Sequence, residues 1–221
     1  MAEKTATDPI TETQQTILDA SLPHIAFDGW SMRALNRGAE DAGLSPEDVR
    51  RVFPDGAIDA LEFFTKRADD TMLETLQNEY ALSEMKIRER IATAVMVRLR
   101  QHSENREAVR RGLAVYSMPW NAGRGMRSLY RTVDAMWHAA GDQSTDFNFY
   151  TKRMLLSKVY MSTMYVWLDD HSDNLEETEA FLHRRISDVM QIEKLKAKAR
   201  DLTNWAPFEQ FKAKAAPTSQ G

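Results

Sequence analysis

One stretch limits the folds open to this chain more than any other. From Phe147 to Trp167 there is no Pro or Gly, and Phe149, Leu156, Val159, Tyr160, Met164 and Trp167 are only some of the apolar residues. At 100° per residue such side chains point in nearly every direction, so the stretch is expected to be a central helix with protein on most sides. Ser144 or Thr145 can cap it, with the acidic Asp146 in its first turn. Asp146, Phe149, Tyr150 and Arg153 then stand at i, i+3, i+4 and i+7, an acid, two rings and a guanidinium on one flank. Taken by themselves, they fit either a contact surface or a solvated helix end with two ordinary core rings.

Around this helix the periodicity is helical almost throughout, and no alternating segment of strand type stands between turns. The fold is therefore expected to be all-α, with about nine or ten helices. A helix from Thr13 should end at Asp28-Gly29; Ser31 should cap a second that stops at Gly43; Ser45, followed by Pro46, should cap a short third ending at Phe53-Pro54. A long helix is expected from Gly56 to about Glu79, bridging a small N-terminal bundle to a larger one. Further helices are expected over 85–101, 103–116 and 121–140, and after the central helix one capped by Asp173 or Asn174. The expected division is a disordered 1–12, a helix-turn-helix-like 13–55, a larger bundle over 56–200, and a short amphipathic segment and disordered tail over 201–221.

The order GWSMRALNRGAEDAGLSPEDVRRVFP resembles the N-terminal domain of TetR-type regulators. The charges argue against DNA as the partner. Between Thr13 and Phe53 six acids face four arginines, and Glu47 and Asp48 open the helix that would enter the major groove. The whole chain carries a net charge of −4, and no nucleic-acid partner is expected.

Little in the sequence points to catalysis. There are no cysteines, and no phosphate-binding loop, nucleophile elbow or zinc-protease helix motif. No histidine stands three residues after a glutamate, as a di-iron bundle needs. Glu179 with His183 and Asp134 with His138 are i, i+4 pairs without obvious further ligands. The expectation is a chain with no enzymatic activity, no metal and no cofactor. Apolar ligands are more plausible, because six of the twelve methionines fall between Met118 and Met164, among several Tyr and Trp. A dry, close-packed core explains the same composition.

The run STDFNFYTKRMLLSKVYMST resembles the signature helix of the ubiquinone-biosynthesis accessory protein family, the ninth of the coenzyme Q proteins. LYRTVDAMWHAAGD before it and WLDDHSDNLEETEAFLHRRISDVMQIEK after it extend the likeness, which covers roughly residues 14 to 196. The resemblance implies a TetR-like bundle whose cavity holds isoprenoid lipid, here lined by Met126, Tyr130, Met161, Tyr165 and Val189. It also implies presentation of a prenylated quinone to the di-iron demethoxyubiquinone hydroxylase. Asp146, Phe149, Tyr150 and Arg153 match the family's T-D-x-x-W-Y-x-x-R motif as the docking surface, with Phe149 in the tryptophan's place. Tyr150→Ala and Arg153→Ala are then expected to abolish docking without changing helicity or melting. Family members carry a C-terminal membrane helix; here Leu202, Trp205, Phe208 and Phe211, with flanking lysines, would meet a membrane surface, or else fold onto the bundle. A homodimer is a further expectation, as is a bacterial cytoplasmic protein held peripherally at the inner membrane. The rival reading is a ligand-responsive TetR-type transcription regulator.

Overall fold

The computed structural model describes residues 8–142 and 147–203, and every regular element among them is helical. Nine α-helices follow in order: α1 (Pro9–Asp28), α2 (Met32–Asp41), α3 (Pro46–Val52), α4 (Ala57–Glu79), α5 (Ile87–Arg100), α6 (Arg106–Ser117), α7 (Ala122–Ala139), α8 (Phe147–Asp169) and α9 (Glu176–Thr203). The first begins four residues before Thr13, because Pro9 has the φ that a first helical residue needs and Asp8 caps it.

Local chemistry sets the short elements. Ser31 caps α2 through the Ala34 N–H, and Ser45 and Asp48 form a reciprocal capping box at the start of α3. Between them Gly43 takes φ +73°. Its N–H donates to the Glu40 carbonyl and that of Leu44 to the Ala39 carbonyl, a pattern that closes a helix through a left-handed residue. The same hydrogen bonds at Ser45 hold the Asp48 carboxyl below its usual range.

Two apolar cores result, and α4 belongs to both. Its first half, with Ala60, Leu61 and Phe64, packs with Ile17, Leu18, Leu35 and Phe53. Its second half, with Met72 and Leu76, joins the larger core of α5, α7, α8 and α9 around Val95, Met136, Trp167 and Leu182. Trp30 donates from Nε1 to the Ala108 carbonyl at 2.9 Å, tying the small unit to α6. Arg124 of α7 reaches Asp59 and Glu62 of α4 at 2.6 and 2.7 Å, and those partners raise its pKa.

The turn from α8 to α9 is built on one carboxylate. Asp170 accepts from Ser172 N, Ser172 Oγ, Thr178 N and Thr178 Oγ1, at 2.5 to 2.9 Å. Burial pushes its pKa up, but the four hydrogen bonds outweigh that and hold it at about 2. Within this turn Asn174 and Leu175 adopt positive φ, a left-handed conformation costly for a leucine.

The central helix departs from expectation on one side. Tyr150, Met154 and Tyr165 lie along a face of α8 that no other described element covers, each more than half exposed. Phe149, Val159, Tyr160 and Trp167 turn toward the bundle, so the all-round apolar pattern marks a helix buried on three sides rather than four.

Candidate functional site

α4 to α8 enclose a cavity of about 300 Å³. Its inner walls are Leu61, Phe64, Leu99, Leu113, Tyr160 and Trp167, all apolar or aromatic; Met126 of α7 and Tyr165 of α8, both exposed, stand at its mouth. Two glycines make the room possible. A Cβ on Gly112 would meet Leu61 Cδ1 at 2.8 Å, and one on Gly125 would meet Tyr116 Cβ at 2.8 Å, so α6 approaches α4 and α7 closely there.

A polar belt runs under the cavity. Asp69, almost fully buried, accepts from Arg98 Nε and Arg131 Nε, each at 3.0 Å, and from Thr132 Oγ1 at 2.9 Å. Arg98 also donates to the Thr65 carbonyl, and Ser128 to Thr65 Oγ1. The charges are thus matched within the protein, the condition on which a buried carboxylate is tolerated. His102 stacks on Phe64 at 4.4 Å beside this belt. Burial first, then Arg98 and Arg67, push its pKa well below the ordinary value, so it is neutral at physiological pH. Burial likewise raises the Tyr116 and Tyr160 phenols, which keep their protons.

Of the residues expected to line a lipid cavity, Met126, Met161 and Tyr165 do so. Tyr130 lies one turn along α7 in a shallow groove with Met126, Arg127 and Asp134. Val189 packs on the main core from α9. Neither reaches the cavity: Tyr130 sits on the face of α7 beside the one that lines it, and no described residue of α9, which carries Val189, joins its wall. His102, Tyr116 and Trp167 also line it, and the sequence does not distinguish them from ordinary core residues.

The docking flank is also only partly as expected. Tyr150 is 64% exposed, its ring edge-on to Phe149 at 5.2 Å. Arg153 is a correction: its side chain is 4% exposed, and it bonds Asp134 Oδ1 at 2.5 Å and Asp142 Oδ2 at 3.1 Å while stacking on the Phe149 ring at 3.3 Å. A guanidinium is buried only where it is paired, and two carboxylates before α8 supply the pairing. It holds the flank from beneath, so Arg153→Ala would remove its ion pair with Asp134 and one of the two on Asp142, where Lys152 remains, and lower stability, contrary to the unchanged melting expected. Asp146, Trp205, Phe208 and Phe211 lie outside the described residues, as does the side chain of Leu202.

In both histidine pairs the acid is engaged with an arginine. Asp134 is committed to Arg153, and Glu179 stands 3.9 Å from His183 and 3.2 Å from Arg100. No group of three or more potential ligands occurs among the described residues. No described helix is long and apolar enough to cross a membrane.

The COQ9 family model matches residues 122–193, which span α7, α8 and most of α9. The human mitochondrial ubiquinone biosynthesis protein COQ9 is 34% identical over 187 residues, 82% of this chain and 58% of that protein. Xenopus laevis COQ9-B is 35% identical over 185 residues, 81% of this chain and 63% of that protein. The chain thus spans less than two thirds of these relatives, whose names place them in mitochondria, whereas a bacterial cytoplasm is the expectation from its sequence. In fold it is similar to a TetR transcriptional regulator from Nitrosomonas europaea, with a TM-score of 0.64 at 22% identity over 81% of this chain and 97% of that one. A putative TetR-family regulator from Rhodococcus gives 0.55 at 22% identity, over 81% and 99%.

Proposed function

The chain belongs to the COQ9 family, and on that premise we propose that it is a non-enzymatic accessory protein of ubiquinone biosynthesis. It takes an isoprenoid quinone intermediate into the bundle cavity and presents it to the membrane-associated di-iron demethoxyubiquinone hydroxylase. The observation that carries this reading is the cavity itself: an apolar space of about 300 Å³ between helices, with its charges neutralised internally and its mouth flanked by exposed Met126 and Tyr165. A close-packed core has no such space. Tyr150 and Met154, exposed on the open face of α8, offer the hydroxylase an aromatic and a methionine anchor, positioned by Phe149 and Arg153. The segment with Leu202, Trp205, Phe208 and Phe211 is the part of the chain that meets the membrane surface in this reading.

Isothermal titration with a short-chain ubiquinone tests the cavity. Saturable binding of one molecule per chain, lost in Met161→Trp, supports the reading; binding that survives in this cavity-filling variant contradicts it. Capture of the hydroxylase tests the flank: Tyr150→Ala should lower it at least tenfold with melting unchanged, and equal capture refutes docking there. Flotation on anionic vesicles should fall when residues 201–221 are removed.

A further inference from the structure

Trp120 is 77% exposed at the turn between α6 and α7, with Met118 at 43% and the exposed Pro119 beside it. The turn is tight, since the Asn121 N–H donates to the Met118 carbonyl at 2.9 Å. The start of α7 continues the patch with Ala122, Gly123 and Met126, all exposed, and a Cβ on Gly123 would meet nothing within 4 Å. Single exposed apolar residues need no explanation, but a contiguous run led by a tryptophan marks an interaction surface.

The charges around it decide what the surface meets. From Arg111 to Arg131 there are four arginines and no acid, in a chain whose net charge is −4. Arg111 pairs with Glu107, while Arg124 and Arg131 turn inward to Asp59, Glu62 and Asp69 of α4. Arg127, exposed and next to Met126, enters no ion pair among the described residues. Neither does Lys158, exposed on the face of α8 that carries Tyr165. The carboxylates bordering this end, Asp134 and Asp169, are held by Arg153 and Arg110. An indole, two thioethers and two cations thus stand outward with no free anion among them. An apolar protein surface would match the first part and leave the cations unused. An anionic lipid surface takes both, the indole and thioethers at the headgroup boundary and the cations against phosphates.

We propose that the α6–α7 turn is a membrane contact in its own right, separate from the C-terminal segment. Trp120 and Met118 enter the headgroup boundary of an anionic bilayer, and Arg127 and Lys158 meet its phosphates. The contact needs no ligand in the cavity, so the two readings fail separately. Because Met126 stands both in the patch and at the cavity mouth, the same contact turns the mouth toward lipid.

Flotation of the full chain on vesicles of phosphatidylcholine and phosphatidylglycerol in equal parts, and on phosphatidylcholine alone, tests this. Trp120→Ala should lower binding to the mixed vesicles about tenfold, through loss of one buried aromatic side chain. Arg127→Gln should lower it about fivefold, and on the mixed vesicles alone. Both side chains are exposed, so melting should not change. Fluorescence locates the contact. In the Trp205→Phe chain, lipids brominated on the upper acyl carbons should quench emission, and the quenching should vanish in the Trp120→Phe, Trp205→Phe double variant, because Trp30, Trp137 and Trp167 are covered by the fold. Flotation and quenching that do not depend on Trp120 overturn the inference. So does a Trp120→Ala chain that floats like wild type but loses self-association, which would assign the turn to a second copy. Failure of wild type to float on either vesicle overturns this contact and the C-terminal one together and spares the cavity.

Discussion

The α1–α3 unit and the α4–α8 bundle are built from the same kind of amphipathic helix, yet one is closed and the other keeps a space. In the small unit Gly38 lets α2 lie directly on α1, where a Cβ would meet Ser21 N and Cα at 2.6 and 2.7 Å. Its surface charges also cancel locally: Asp28 takes Arg33 and Arg37, and Asp48 takes Arg51. The face that reads DNA in a helix-turn-helix therefore has few cations free for phosphates, and no operator binding is expected at moderate salt. In the bundle, glycines at comparable helix contacts open onto a cavity with unpaired polar groups at its wall. Similarity to TetR regulators is thus similarity of scaffold, and the apolar cavity lies in the bundle.

The contrast can be broken by substitution. Asp69→Ala should have the largest effect, because it strands the buried Arg98; a loss of about 3–5 kcal/mol is expected in denaturant melts. An unchanged midpoint would mean that the polar belt does not support the cavity. Gly38→Ala should cost about 3 kcal/mol, or about 6–12 °C in Tm, because backbone has to move. Gly125→Ala should cost less, about 1–2 kcal/mol, since a single atom, Tyr116 Cβ at 2.8 Å, lies under 3.0 Å from the added carbon and α6 has to shift only slightly. Equal losses at the two glycines would erase the distinction between a closed and an open region.

Acid gives a third test. The Asp170 carboxyl is held at about 2, below its unfolded value near 3.9, so its contribution is complete above that unfolded value and disappears as pH falls through about 2. About 2 kcal/mol should be lost across that window, and Asp170→Asn should flatten this limb of the stability profile. Smallest of all, Tyr116→Phe removes a hydroxyl that lies beside those of Thr65 and Ser128, already bonded to each other, so stability should change by less than about 1 kcal/mol. A loss above about 2 kcal/mol would show that the hydroxyl is satisfied within the fold.

Features set by near neighbours in sequence were legible. Ser31, Gly43, Ser45 and Pro46 carry their own geometry, and the second and third helices lie where these residues put them. Met126, Met161 and Tyr165, which the family resemblance pointed to where composition left a close-packed core equally open, do line the cavity. What depends on distant partners was not legible. An arginine two turns into a helix looks exposed by type; only the approach of Asp134 and Asp142 buries Arg153. Likewise the open face of α8 depends on which neighbours happen to cover it, and apolar residues all round a helix do not reveal that. His102 lies just beyond α5, a helix that itself carries four arginines, so nothing local marks it, and its burial against Phe64 is a tertiary fact.

The central claim, that this bundle carries an isoprenoid quinone, is tested most directly by extracting lipid from the purified, unheated protein and weighing it by mass spectrometry. The same extraction from Met161→Trp serves as its blank. A prenylated quinone or phenol near one per chain in wild type, and absent from the variant, is the predicted result. An empty wild-type protein, or the same lipid in both, would contradict the account.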